Sequence, residues 1–267
     1  MGIQTLYTAA TGMIGLETKL DVIANNLANV ETVAFKRSRA NFEDLFYRQY
    51  KMPGAEDTAG QYTPTGVAVG LGTRVMSTQT EFMQGPFKTT GRQLDIAVEG
   101  KGFLQVVDPT GMIMYSRAGN LNKNANGELV LGSANTGRLL EPPISIPRDA
   151  IDIVISAQGI VSVLQPNNVQ LAQVGQIELA QFINPEGLLK LGENLYYETN
   201  SSGTALLSNP GQDGNGVIRQ GMLEGSNVEP VNELIEMITT QRAFELNSKA
   251  VQAGDDCMQI VANLKRY

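Results

Sequence analysis

The sequence predicts an α+β protein in which N- and C-terminal helices pair as a coiled coil, with a central, mainly antiparallel β domain and an extended segment between them. Apolar residues recur with a seven-residue period near both ends of the chain, and the middle alternates apolar and polar residues between frequent turn residues. The 28 glycines among 267 residues also fit a turn-rich middle. We therefore predict four segments: helical residues 1–38, an extended connector at 39–75, a β domain at 76–226 and helical residues 227–267.

The N-terminal helix is predicted from apolar residues that follow one another in alternating steps of three and four. This heptad pattern is typical of a narrow stripe that packs against another helix. Gly12 and Gly15 each cost about 1 kcal/mol of helix stability relative to Ala, so we expect this helix to become ordered only against a partner. The predicted subunit-interface residues here are Leu6, Ala9, Met13, Leu16, Leu20, Ile23, Asn25, Asn26, Leu27, Asn29 and Val30.

The C-terminal helix is predicted to begin near Pro230, a residue that suits the first helical turn, with Asn227 or Glu229 as the cap. Polar residues interrupt its apolar stripe, which lowers stability and can specify register. One interpretation is a helical hairpin that closes a single globular domain. We favour the other, in which both terminal helices also pack against neighbouring copies, because each stripe is narrow. The predicted interface residues are Leu234, Met237, Gln241, Phe244, Asn247, Val251 and Met258.

The middle of the chain is predicted to form short strands joined by tight turns, among them hairpins at Asn126-Gly127 and Gln158-Gly159. Most neighbouring strands are expected to pair antiparallel in one compact β domain. The predicted strands include Leu94–Val98, Phe103–Val107, Glu128–Leu131, Ile151–Ile155, Ile160–Leu164 and Gln176–Phe182.

The segment Phe46–Val75 is rich in glycine and proline and has two interpretations. A solvated linker is one of them. It contains more tyrosine and valine residues than a solvated spacer needs, so we expect an extended element that docks on another surface.

Composition excludes several classes of function. The chain has no histidine and one cysteine, Cys257, so histidine-dependent nucleophiles, histidine-ligated zinc sites and an internal disulfide are not expected. A net charge of −7 opposes general nucleic-acid binding. We expect no cofactor, no metal and no small-molecule substrate. No apolar run is long enough to span a bilayer, and the first residues do not resemble a cleaved signal peptide.

Long motifs at both ends resemble those of the axial proteins of the bacterial flagellum, the rod and hook subunits. The N-terminal motif is Leu20–Val30 followed by Phe35-Lys36, and the C-terminal motif is Ser226-Asn227-Val228 followed by Gln241–Lys249. Further segments are similar to the branch of the family that builds the distal rod, and the resemblance covers essentially the whole chain. Val33-Ala34 stands where the family usually has Thr-Gly, which weakens the prediction of a positive-φ turn after the helix.

The resemblance implies a non-enzymatic structural subunit of the distal rod, a hollow helical polymer that transmits torque from motor to hook. Its terminal helices would surround an export channel, and its β domain would face outward. The segment 46–75 would lock neighbouring subunits and stiffen the rod. The residues expected to do so are Tyr47, Tyr50, Pro53, Tyr62, Pro64 and Gly66.

The implied partners are other copies of this chain, proximal rod proteins, the hook protein and hook-side junction, the L- and P-ring bushing proteins and the flagellar export apparatus. The implied location is the part of the basal-body rod that crosses the periplasm, reached by type III export without a cleaved signal peptide. A proximal rod or hook subunit is the alternative within the family. A secreted carbohydrate-active enzyme that uses Asp95, Glu99 and Glu178 is a third hypothesis.

Overall fold

Two α-helices, one short 3₁₀-helix and twenty strands form within the residues that the structure describes. This computed structural model describes residues 2–54, 62, 64–132, 137–166 and 170–264. The chain divides into two compact units. The helical unit contains the described residues of Met1–Ala28, Ser38–Thr80 and Glu229–Tyr267, and the β unit contains those of Asn29–Arg37 and Glu81–Val228.

The helical unit is built from two long helices and two antiparallel strand pairs, β1 with β4 and β2 with β3. The helices lie antiparallel, since the side chain of Leu6 near the start of α1 reaches Gly254 near the end of α2, and Asn26 near the end of α1 contacts Glu233. The elements are α1 (Gly2–Ala28), β1 (Ser38–Asp44), β2 (Tyr47–Lys51), β3 (Val67–Gly70), β4 (Thr73–Thr80) and α2 (Pro230–Leu264).

The β unit holds sixteen described strands, and every recorded strand pair within it is antiparallel. These strands are β5 (Phe87–Thr89), β6 (Ile96–Glu99), β7 (Phe103–Val107), β8 (Ile113–Ser116), β9 (Leu121–Lys123), β10 (Leu129–Leu131), β11 (Arg138–Glu141), β12 (Asp152–Ile155), β13 (Ile160–Leu164), β14 (Ala172–Gln176), β15 (Leu179–Gln181), β16 (Leu189–Gly192), β17 (Leu195–Tyr197), β18 (Leu206–Ser208), β19 (Val217–Gln220) and β20 (Met222–Glu224). A 3₁₀-helix spans Pro185–Gly187.

Nine of these strands form the largest sheet, in the order β16-β17-β8-β7-β11-β10-β9, with β15 paired to β7 and β18 paired to β15. Strands β12, β13 and β14 form a second sheet, and β19–β6 and β20–β5 are two-stranded.

The large sheet separates an aliphatic core from an aromatic cluster. Successive residues of a strand point to opposite faces, so Leu104 lies in the core while Phe103 lies in the aromatic cluster. The same alternation places Leu195 in the core and Tyr196 in the aromatic cluster. We define the aromatic cluster as Phe82, Phe103, Tyr115, Phe182 and Tyr196, whose rings meet edge to face at centroid distances of 4.8 to 5.8 Å.

The predicted α+β class is confirmed, with a helix at each end of the chain and a mainly antiparallel β unit between them. Strands Phe103–Val107 and Ile160–Leu164 form as predicted, and both predicted hairpins connect antiparallel strands. The prediction of one strand over Gln176–Phe182 is wrong. Gln176 ends β14, and a new strand begins at Leu179. At the turn between them the Ile177 N–H donates to the Gly159 carbonyl, at 2.8 Å.

The described residues of the segment 46–75 are more ordered than a linker. Strands β2 and β3 pair within it, and β4 begins at Thr73. Two hydrogen bonds close its base, from the Leu45 N–H to the Gly72 carbonyl at 2.8 Å and from the Leu71 N–H to the Phe46 carbonyl at 3.1 Å.

None of the described helices is both long enough and apolar enough to cross a membrane.

Candidate functional site

The predicted apolar stripe of α1 lies mainly on the inner side of the helical unit. Ile23 is buried, and Leu6, Ala9, Met13, Leu16, Leu20 and Leu27 are half-buried. The helix ends at Ala28, so Asn29 and Val30 follow it rather than belong to it. Asn25 is exposed, whereas Asn26 is buried.

Asn26 joins three parts of the helical unit. Its side-chain oxygen accepts from the Ser38 N–H at 3.0 Å, and its amide nitrogen donates to the Ser38 carbonyl at 2.8 Å. The same nitrogen also donates to the Glu233 carboxylate at 3.2 Å. An amide side chain can accept from a backbone N–H and also donate to a backbone carbonyl. Neither Asp nor Leu could make both bonds in place of Asn26. Asn26 therefore fixes the start of β1 and the first turn of α2 relative to α1.

The α2 residues buried most deeply differ from the predicted stripe. Of that stripe, Leu234 and Phe244 are exposed, as is Gln241, while Met237, Val251 and Met258 are half-buried. A second seven-residue series, with polar or small side chains, is also buried or half-buried: Glu233, Thr240, Gly254 and the predicted interface residue Asn247. We call this series the polar seam of α2.

The polar seam allows the two helices to approach closely. A Cβ added at Gly12 would lie 3.2 Å from the Asn247 amide nitrogen, and one added at Gly254 would lie 2.9 Å from a Leu6 methyl. The seam residues of α2 themselves contribute little apolar area, although Met237, Val251 and Met258 of the predicted stripe are half-buried. Sequence reasoning named only Asn247 of the seam because it followed mainly apolar residues.

An apolar face on the first half of α2 is consequently exposed. It consists of Val231, Leu234, Ile235 and Ile238, which are spaced as one side of a helix and are 45 to 68 % exposed. We call these four residues the outer face of α2. Contiguous exposed apolar residues of this kind mark a surface that contacts another molecule.

The residues predicted to stiffen the rod lie in the strand pair β2–β3 and its flanks. The Tyr50 hydroxyl donates to the Gln4 side chain at 3.2 Å, and the Tyr47 hydroxyl bonds the Asp44 carboxylate, which raises the pKa of Tyr47. Gly66 packs against Pro53 and the Lys51 carbonyl, 2.5 Å from where its Cβ would be, so only glycine fits there. Pro64 and Tyr62 are exposed.

In the β unit, the Phe35-Lys36 motif is held by a buried ion network around Glu224. The Lys36 ammonium lies 2.6 Å from one Glu224 oxygen, and the Arg117 guanidinium lies 3.0 Å from the other. Both Lys36 and Glu224 side chains are fully buried. Burial lowers the pKa of Lys36, and the Glu224 carboxylate opposes that shift. We call Lys36, Glu224 and Arg117 the buried triad.

Backbone carbonyls accept further hydrogen bonds from the buried triad. Lys36 also donates to the Met83 carbonyl at 2.7 Å, and Arg117 donates to the carbonyls of Val98, Gly100 and Gly102 at 2.9 to 3.0 Å. A buried charge requires such partners. The triad therefore ties the segment that follows α1 to the strand that precedes α2.

Asn227 has a different role from the predicted helix cap. Its side chain accepts from the Arg37 N–H at 2.7 Å and donates to the Glu81 carbonyl at 2.8 Å, so it joins two segments of the β unit. Helix α2 begins at Pro230 as predicted.

The turn after α1 adopts a positive φ although it has alanine where the family usually has glycine. Ala34 has φ of 55° and is buried in the core, and its N–H donates to the Glu224 carbonyl at 2.8 Å. Burial of the Ala34 methyl and this hydrogen bond offset the backbone strain.

Two of the three carboxylates considered for glycosidase chemistry lie beside arginines. Glu99 lies 2.6 Å from Arg219, and Asp95 lies 3.5 Å from Arg92. Glu178 is half-buried. Across the described ranges, no group of three acidic, cysteine or histidine residues is placed to hold a metal ion, and Cys257 is exposed.

Comparison with known proteins decides the family. Three family models match: "Flagella basal body rod protein" at residues 6–36, "Flagellar hook protein FlgE/F/G D1 domain" at 97–163 and "Flagellar basal body rod FlgEFG protein C-terminal" at 219–264. The chain is 42 % identical to the flagellar basal-body rod protein FlgG of Caulobacter vibrioides over 264 residues, which cover 98 % of this chain and all of that protein. The chain belongs to the FlgG family of flagellar rod proteins.

Two proteins of Bacillus subtilis refine the comparison. The chain is 38 % identical to its FlgG, over 99 % of this chain and the whole of that protein, and 28 % identical to its hook-basal body complex protein FlhP, over 98 % of this chain and the whole of that protein. As a member of the FlgG family, this chain is a structural rod subunit of the flagellar basal body. It assembles into the rod with other flagellar components.

We expect Lys36→Met to lower the free energy of unfolding of the β unit by about 3–5 kcal/mol, because it leaves Glu224 buried with one of its two cationic partners missing. The measurement is urea unfolding followed by tyrosine fluorescence, since the chain has no tryptophan.

Lys88→Met is the matched control, because the Lys88 ion pair with Glu31 is exposed and such pairs contribute less than about 1 kcal/mol. Equal effects of the two substitutions would show that the buried triad does not stabilise the β unit.

Proposed function

We propose that this chain is the subunit of the distal rod and polymerises into a hollow helical shaft that transmits torque from motor to hook and surrounds the export channel. Similarity to FlgG along the whole chain carries the proposal. The exposed outer face of α2 supports it, because an apolar helix face of this size needs a partner.

In the proposed polymer, the terminal helices of each copy pair as a coiled coil and pack against the helices of neighbouring copies around the channel. The polar seam supports this arrangement, since Glu233, Thr240, Asn247 and Gly254 fix how α1 and α2 meet but bury little apolar surface. The outer face of α2 then supplies apolar area between copies. The predicted interface residues Leu234 and Phe244, exposed in the single chain, would be covered by a neighbour.

The segment 46–75 would lock neighbouring subunits, with Tyr47, Tyr50, Pro53, Tyr62, Pro64 and Gly66 as its contact or shaping residues. Its paired strands and closed base support a preformed element rather than a spacer. Residues 1–38, 39–75, 76–226 and 227–267 would then serve as helix, locking segment, outward-facing β domain and second helix.

A distal position is favoured over a proximal rod or hook position by the higher identity to FlgG than to FlhP within one organism. The proposed neighbours are other copies of the chain, proximal rod proteins, the hook protein with its junction, and the L- and P-ring bushing proteins. We further propose passage through the type III export apparatus without signal cleavage, to a rod that crosses the periplasm.

We expect Ile235→Gln combined with Ile238→Gln to abolish straight tubes in electron micrographs of the purified chain. Both side chains are more than half exposed, so replacing them should change unfolding free energy by no more than about 0.5 kcal/mol per site. Ile151→Gln, at a residue that is 64 % exposed in the β unit, is the control and should leave the tubes intact. Normal tubes from the double variant would contradict the role of the outer face of α2.

The segment can be tested by deletion of residues 46–71. The Leu45 N–H donates to the Gly72 carbonyl at 2.8 Å, so the two residues that the deletion joins are already cross-strand neighbours, and the deletion spares the β1–β4 pair. We expect the shortened chain to form curved, flexible polymers, measured as a drop in persistence length on micrographs. Unchanged stiffness would contradict the distal assignment and favour the alternative rod or hook position.

A further inference from the structure

A small cavity opens beside the aromatic cluster of the β unit. Phe82, Phe103, Phe182, Ile183 and Pro185 line it with apolar surface, and its volume is about 280 Å³. Cavities for drug-sized ligands are generally about 300–1,000 Å³, so this one suits a single large side chain. We call it the aromatic cavity.

The walls of the aromatic cavity are rigid. Phe103 and Phe182 are buried and stack edge to face at 5.7 Å, and Phe82 packs on Phe103 at 5.4 Å. Ile183, in contrast, is 84 % exposed at the same site. A fixed pocket with an uncovered aliphatic residue is arranged to receive an apolar group without reorganisation, which favours binding.

The charge at this site is one free ammonium group. Arg117 also lines the cavity, but its guanidinium is engaged by Glu224 and three backbone carbonyls. Lys101 is exposed, and no described residue forms an ion pair or hydrogen bond with its ammonium. The aromatic cavity therefore suits an apolar side chain that has a carboxylate close by.

Phe46 in the helical unit matches this requirement. This residue is 89 % exposed, which is the largest exposed fraction among the large hydrophobic residues that the structure describes. The hydrogen bonds at Leu45 and Leu71 hold the backbone on either side, so the ring is presented from a fixed base. Asp44, two residues earlier, is exposed and carries a carboxylate.

We propose that Phe46 of one copy inserts into the aromatic cavity of a second copy, with Asp44 of the first facing Lys101 of the second. Phe46 and the cavity belong to different units of the chain, so the contact joins unlike parts of two copies and is heterologous, and it can repeat from copy to copy, as a helical polymer requires. The inference rests on the proposed function, and it names the receiving surface for the start of the segment 46–75.

Phe46→Ala should raise the critical concentration for polymerisation at least about tenfold, because an aromatic anchor in a desolvated pocket dominates an interface. Ile151→Ala is the matched exposed control and should leave the critical concentration unchanged. Sedimentation of polymer across a concentration series gives both values. Equal critical concentrations for Phe46→Ala and wild type would overturn the proposal.

A charge exchange tests the partner residue. Asp44→Lys and Lys101→Asp should each raise the critical concentration, and the double exchange should restore it toward the wild-type value. If each substitution raised the critical concentration by damaging the fold, the two increases would add in the double variant. Damage to folding therefore cannot explain a restored value. Failure of the double exchange to restore polymerisation would contradict the Asp44–Lys101 contact.

Direct mapping uses p-benzoylphenylalanine at position 46, which keeps an aromatic ring there. Tubes are assembled from an equal mixture of ¹⁵N-labelled and unlabelled chains, irradiated, digested and analysed by mass spectrometry. We expect cross-links between labelled and unlabelled peptides at Phe82 or Ile183. Tubes whose cross-links map elsewhere would overturn this contact and leave the proposed function standing. A wild-type chain that remains monomeric at every concentration would contradict both.

Discussion

The seam between α1 and α2 sets the geometry of the helical unit. Where α1 and α2 meet, α2 contributes Glu233, Thr240, Asn247 and Gly254, and hydrogen bonds at Asn26 set the register. Polar and small residues specify geometry but supply little of the apolar burial that stabilises a helix pair. The outer face of α2 keeps the apolar area that a neighbour could cover. A pair built this way is specific within one chain and incomplete without another.

The β unit holds together the segment that follows α1 and the segment that precedes α2. Its buried triad links Lys36, after α1, to Glu224, before α2, with Arg117, which directly follows β8, as the third member. Asn227 adds backbone bonds to the same region. The sequence motifs at the two ends therefore carry anchoring residues as well as helix residues. In the proposed rod, force on either helix reaches the sheet through these charge-assisted hydrogen bonds.

The fold class could be predicted from the sequence because periodicity alone separates helix from strand. The alternating pattern in the middle of the chain, between frequent turn residues, predicts strand Phe103–Val107, and the heptad repeat predicts the α1 stripe. The turn residues Asn126-Gly127 predict the hairpin there. Of the α2 seam, only Asn247 is among the predicted interface residues, since Glu233, Thr240 and Gly254 belong to no apolar series. Asn227 precedes a helix, as a cap would, and only the three-dimensional structure reveals its bonds to Arg37 and Glu81. The buried triad joins residues more than a hundred positions apart, a pairing that one sequence does not encode locally.

We propose that the terminal helices become stable only among identical copies, whereas the β unit is stable by itself. Hydrogen–deuterium exchange of the full chain, compared between dilute monomer and assembled tubes, distinguishes the two cases. We expect the backbone amides of β7 and β13 to exchange slowly in both states, and those of α1 and α2 to exchange fast in the monomer and slowly in the tube. Helix amides in the monomer that are as protected as those of β7 would contradict it.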